Sequence, residues 1–229
     1  MLIGIIGAMN AEINGLKAVM KNCTAEKISS VEYCRGVIGV TECIAAVAGV
    51  GKVNAAVCAQ TMLLKYKPDM IINIGVAGGL DAELGTGDIA VADSVVEHDM
   101  DTTPTGEPAG YIDGLERVYI ECDRELSDRL YNAALSIGGL KVKRGVIASG
   151  DQFIASEEQR NRIIDTFGAI AAEMEGASIG HVCAMSGVPF GVLRAISDGA
   201  NGDSPKNFLE FTEQAAKNSI DIILKLTEG

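Results

Sequence analysis

With 229 residues, 48% of them apolar and only 4% aromatic, the chain can bury roughly 70% of the surface that its unfolded form exposes. A net charge of −12 sets it against nucleic-acid phosphates and anionic membrane surfaces. No apolar run is long enough to span a membrane without interruption, because Lys52, Asn54 and Gln60 break the longest candidate.

Nothing in the sequence reads as a linker, so residues 1–229 are expected to form one domain. The N-terminus MLIGIIGAMNAE has no basic leader and runs straight into fold-like sequence. The six cysteines form no CxxC pair and mostly sit among apolar neighbours, as core thiols do. A reducing cytoplasm is the expected home. The two histidines, His98 and His181, are scattered, and no metal site is expected.

Taken in order, Leu2 to Gly7 reads as a buried first strand, followed by a helix over Ala11 to Met20 with Glu12 in its first turn. A glutamate there suits the helix dipole, but this one also lies just past a strand exit. Val31 to Gly39 and Thr41 to Ala48 read as an antiparallel pair turning at Gly39. Gly49-Val50-Gly51-Lys52 lacks the spacing of a phosphate fingerprint and reads as a tight turn into a helix that ends near Tyr66.

Met70 to Ile74 is a further buried strand, running into Gly75-Val76-Ala77-Gly78-Gly79. Such glycines permit either a sharp turn or close approach of backbone to a ligand. Ile89 to Val96 is a strand, and His98-Asp99-Met100-Asp101 opens a long loop in which His98 reads as a structural hydrogen-bonding group. A helix follows over Asp123 to Ile137, then a strand over Val142 to Ser149. Phe153, on the exit loop of that strand, could stack on a flat ring or plug the core. Ser156 to Gln159 fits a capping box.

Ala171 to Asp198 reads as strand, helix, strand, with Glu173 and Glu175 at the first exit and Asp198 at the second. In an extended chain the two glutamates point the same way. Ligands of open α/β sheets bind beyond the carboxyl ends of the strands, which makes these acids and Arg194 a candidate site. Ser204-Pro205 caps the last helix, with Phe208 in its buried stripe.

Residues 4–12 (GIIGAMNAE), 73–80 (NIGVAGGL), 149–154 (SGDQFI), 173–181 (EMEGASIGH) and 194–198 (RAISD) together resemble the methylthioadenosine/S-adenosylhomocysteine nucleosidase family. The resemblance implies a nucleoside phosphorylase-like α/β fold, a three-layer α/β/α sandwich on a mixed central sheet, and commonly a homodimer. It implies hydrolysis of an adenine N-glycosidic bond with no cofactor. Carried over by position, Glu12 activates the water and Asp198 protonates the purine at N7. Glu175 holds the ribose hydroxyls with Met174 against the sugar, Phe153 stacks on adenine, and the Ile154 backbone reads its edge. Ser197 positions Asp198, Arg194 lies near the water and Glu12, and Gly78 allows backbone approach. Met9, Val50 and Phe208 line the sugar and alkylthio pocket.

Two departures stand out. Residues 100–114 hold a single aromatic, Tyr111, where better-known members carry several, and Val76 replaces a small hydroxyl residue. The 5′-substituent is therefore open among methylthioadenosine, S-adenosylhomocysteine, 5′-deoxyadenosine and aminofutalosine. A phosphorylase of this fold would need cations for a phosphate dianion, but Ala8-Met9-Asn10 and the glycine-rich exit hold neither Arg nor Lys. Water is the expected nucleophile. A purely binding role would not need Glu12, Glu175, Arg194 and Asp198 together.

Overall fold

The computed structural model describes residues 1–198 and 204–227, and side chains throughout except at 204–212. Its centre is a ten-stranded mixed sheet. Strand β1 (Leu2–Gly7) runs parallel to β4 (Thr41–Val47) on one side and to β5 (Met70–Gly79) on the other. β2 (Lys21–Ile28), β3 (Val31–Ile38) and β4 form an antiparallel meander.

The remaining strands are β6 (Ile89–Glu97), β7 (Ile120–Glu121), β8 (Val142–Ser149), β9 (Ala169–Glu173) and β10 (Phe190–Asp198). β10 pairs in parallel with β5 and antiparallel with β6, while β9 pairs with both β8 and β5. The sheet therefore curls back on itself, and the ends of β5, β9 and β10 come together around one space.

Alternation along β1 divides the core. Ile3 and Ile5 face Ile13 and Leu16 of α1 (Asn10–Val19), Leu126 and Leu130 of α3 (Arg124–Ile137), and Ile222 of α6 (Ser204–Thr227). Leu2 and Ile6 face Cys58 and Met62 of α2 (Lys52–Tyr66) and Ile179 and Cys183 of α5 (Gly176–Ser186). A smaller cluster packs Ile163 and Phe167 of α4 (Glu157–Phe167) on Ala148 and Ala172. Burial on both faces explains why β1, β5 and β10 read as continuous apolar runs. Among the described residues no helix is long and apolar enough to cross a membrane.

Two local expectations are corrected, and one strand carried no signal in the sequence. β2 was invisible to the pattern because seven of its eight residues are exposed and the eighth is only half-buried. β5 continues through its glycines to Gly79, since β10 and β9 supply partners there. The chain leaves β9 at Glu173, so Glu173 and Glu175 do not share an extended segment.

Candidate active site

A cavity of about 240 Å³ opens where β1, β5, β9 and β10 end. It is lined by Ala8, Met9, Glu12, Val50, Val76, Ala77, Gly78, Gln152, Phe153, Ile154, Ala172, Glu173, Met174, Glu175 and Asp198. Segments far apart in the chain therefore meet, at the carboxyl edge of the strands where this class of sheet binds ligands.

Glu12 is placed by its own helix. Its Oε2 accepts from the backbone N–H of Ala8 (2.7 Å) and Met9 (2.8 Å), while Oε1 accepts from Val76 N–H on β5 (3.2 Å). Gly75 makes room, because a Cβ there would sit 2.6 Å from Glu12 Oε1. Burial pushes the Glu12 carboxyl above its ordinary range, opposed by the Arg194 charge and by these N–H donors. Contacts that only donate to the carboxylate suit its ionised form.

Asp198 closes β10 and is buried at 3% exposure. Ser197 Oγ lies 2.7 Å from Asp198 Oδ1 and 3.3 Å from the Ala77 carbonyl. The hydroxyl can donate to the ionised carboxylate, or donate to the carbonyl while accepting the proton of a neutral Asp198. A Cβ at Gly78 would touch Asp198 Oδ2 at 3.4 Å. Gly75 and Gly78 lie three residues apart on β5, so that strand meets Glu12 and Asp198 at different points along its length.

Glu175 is the N-cap of α5 and accepts from Gly51 N–H at 2.9 Å. Burial and the neighbouring Glu173 charge raise its pKa to about 7, against Arg194 and the Gly51 donor. Glu173 is different. It accepts from the Glu175 and Gly176 N–H groups, from the Ser149 hydroxyl, and from the Arg194 guanidinium. Burial works against its ionisation, but Arg194 and Ser149 outweigh burial and hold it below the usual carboxylate range.

Arg194, expected beside the water, does not line the cavity. Its guanidinium is 1% exposed and bonds Glu173, Asn73 Oδ1 and the Leu193 carbonyl. Arg194 lies mid-strand in β10, in register with Gly75 of β5, and its guanidinium is taken up by Glu173, which does line the cavity. Ser197 does not line the cavity either, and reaches it through Asp198. The side chain of Phe208 lies outside the described residues, as does the turn after Asp198. Met9, Val50, Gly78, Phe153, Ile154 and Met174 all reach the cavity.

The structure adds residues that the sequence did not suggest. Asn73 donates to the Ile6 carbonyl and accepts from Arg194, tying β1, β5 and β10 together. Ser149 accepts from Ala177 N–H at 2.7 Å, and Gly51 N–H reaches Glu175. An amide in the middle of a buried strand was the only visible signal for Asn73. His98 is buried, its backbone N–H bonds the Ser149 carbonyl, and it does not line the cavity.

The chain is similar over residues 2–228 to the phosphorylase superfamily. It is 38% identical to the 5′-methylthioadenosine/S-adenosylhomocysteine nucleosidase of Shewanella halifaxensis, over 99% of this chain and 98% of that one. The nucleosidase of the same name from Neisseria meningitidis, solved in complex with methylthio-immucillin-A, superposes with a TM-score of 0.95 at 32% identity, over 99% and 98% of the two chains. A futalosine hydrolase of Helicobacter pylori gives 0.93 at 34% identity, over 99% and 97%. On these likenesses the chain belongs to the phosphorylase superfamily, as a member of the 5′-methylthioadenosine/S-adenosylhomocysteine nucleosidases within it.

Proposed function

We propose that this cavity hydrolyses the N-glycosidic bond of 5′-methylthioadenosine and S-adenosylhomocysteine, releasing adenine and the thioribose product. The observation that carries the reading is the meeting of Glu12, Glu175 and Asp198 in one pocket with, among the described residues, one aromatic, Phe153, in its lining.

Adenine leaves poorly as an anion and well once N7 is protonated. Asp198 is the acid, with Ser197 able to hold its proton in place. Glu12 is the base that draws a proton from water on the other face of the sugar. Separation of the two groups along β5 leaves room for sugar and water between them, as in inverting glycosidases. Glu175 binds the ribose hydroxyls, Met174 packs on the sugar, and Met9 and Val50 flank the 5′ group. Phe153 stacks on the base while the Ile154 backbone reads its edge, and Gly78 lets backbone approach. Arg194 acts through Glu173 and through its field on Glu12, a positioning role.

Adenine release from methylthioadenosine in phosphate-free buffer tests the reading. Strict dependence on added phosphate would make the enzyme a phosphorylase instead. A futalosine-type substrate is the second reading, favoured by the half-exposed Val50 at the rim and by the likeness to the Helicobacter hydrolase. A panel that includes 5′-deoxyadenosine and aminofutalosine ranks these substrates.

The reading extends to assembly and location. Val53, Val57 and Leu64 form an exposed apolar stripe at helical spacing on α2, which supports a homodimer. Light scattering should give twice the chain mass, and Val57→Asp should halve it; a monomeric parent protein would remove the dimer. Six free thiols suit a cytoplasmic enzyme.

A further inference from the structure

Behind the rim, on the α2 side of the cavity, lies a cluster of charged side chains that the chemistry above does not use. Lys52 Nζ donates to Glu97 Oε2 (3.0 Å) and to Asp99 Oδ1 (2.7 Å). Glu97 Oε1 is 2.9 Å from His181 Nδ1 on α5. These side chains are only 20% (Lys52), 11% (Glu97) and 16% (Asp99) exposed. None of the four lines the cavity. Burial works against the ammonium, but Asp99 and Glu97 outweigh it and hold the Lys52 pKa above its ordinary value.

What the cluster holds is the rim. Asp151 N–H donates to Asp99 Oδ2 (2.8 Å), and Lys52 N–H donates to Asp151 Oδ1 (2.8 Å). Together with the Lys52–Asp99 bond these close a ring that joins the start of α2, the exit of β6 and the loop after β8. Ser178 Oγ, on α5, lies 3.1 Å from the Lys52 carbonyl. The residue just before Lys52 is Gly51, whose N–H reaches Glu175 and whose φ of +98° no L side chain adopts readily. Two residues after Asp151 comes Phe153. The ring thus ties together the turn that carries Val50 and the Gly51 N–H bonded to Glu175, and the loop that carries Phe153.

We infer that Lys52 is a positioning residue for nucleoside binding: clamped between Glu97 and Asp99, it fixes the Gly51 turn and the 151–154 loop so that Glu175 and Phe153 meet the substrate in register. This rests on the nucleosidase reading. Glu12 and Asp198 are held by β1, β5 and β10, and no hydrogen bond of the Lys52 cluster reaches either of them. The clamp therefore acts on KM more than on kcat.

The experiment compares Lys52→Met, Lys52→Arg and Lys65→Met with the parent enzyme on methylthioadenosine. Lys65 is the control, being on the same helix and paired with Glu26 in an exposed bridge. Lys52→Met should raise KM about tenfold or more with kcat within about threefold, the size expected when charge-assisted hydrogen bonds are lost. Lys52→Arg keeps the charge and should recover part of the loss, and Lys65→Met should leave both constants unchanged. An unchanged KM in Lys52→Met, or a fall in kcat at constant KM, overturns the inference. Should that variant not fold, Asp99→Asn keeps the side-chain shape and carries the same expectation and the same overturning result. Failure of the parent enzyme to release adenine would instead defeat the nucleosidase reading, and the clamp with it.

Discussion

Glu173 and Glu175 stand two residues apart at the same strand exit, yet they meet opposite surroundings. Glu173 has both oxygens filled by a guanidinium, a hydroxyl and backbone N–H groups, and its pKa is held down. Glu175 has one N–H donor, faces the cavity, and titrates near 7. The difference teaches that burial alone does not mark a working carboxylate. What marks it is burial with acceptor capacity left over for a ligand, and Glu12 and Asp198 fall on the same side of that line as Glu175.

Removing either end of the proposed proton path should give the largest effect. Asp198→Asn and Glu12→Gln should each lower kcat by roughly 10²–10⁴ while a methylthioadenosine-like inhibitor still binds, as stopped-flow turnover and calorimetry would read. Comparable turnover in either variant would move that residue out of the chemistry and leave it no different from Glu173.

Next comes Arg194→Met, which strands Glu173 as a buried, unpaired charge. Urea unfolding should show a loss of about 3–5 kcal/mol, and a loss below 1 kcal/mol would mean the wall does not need its ion pair. Glu175→Gln should act in the other direction on stability. Its folded pKa of about 7 lies above the ordinary 4.5, so its contribution to stability is present below about pH 4.5 and is lost as pH rises through 7. Glu175→Gln should therefore be more stable than the parent at pH 8, by roughly 1–3 kcal/mol, and no different at pH 4. The same substitution should raise KM and abolish an acid limb near pH 7 in kcat/KM. Ser197→Ala should have the smallest effect, a few-fold in kcat, corresponding to one hydrogen bond of about 1 kcal/mol. A much larger fall would give Ser197 a share in the proton transfer itself.

The strands were legible where burial imposed a pattern. β1, β3, β4 and most of β10 stood out, as did the helices with caps such as Asp123 and Ser156, whose side chains accept from Leu126 and Gln159 N–H. β2 was not legible, because an exposed edge strand has no face to alternate. The cavity acids could be chosen from chemistry and the family likeness, since strand exits in this class of sheet converge. The backbone direction at Glu173 could not, because extended chain and helix entry differ there by one turn of the backbone. Arg194 was expected near the water and Glu12, and its charge does act on Glu12, but that its guanidinium is taken up by Glu173 and Asn73 depends on the neighbouring strands and could not be read locally. The Lys52 cluster joins residues 52, 97, 99, 151 and 181, and no local spacing could announce it.

Gly7 and Gly75 flank the Glu12 carboxylate so closely that a methyl at either would fall within 2.6–3.1 Å of one of its oxygens. The chain has no spare room to exchange there. A side chain larger than hydrogen at either position would have to displace the Glu12 carboxylate, so both glycines and the glutamate are fixed as one set.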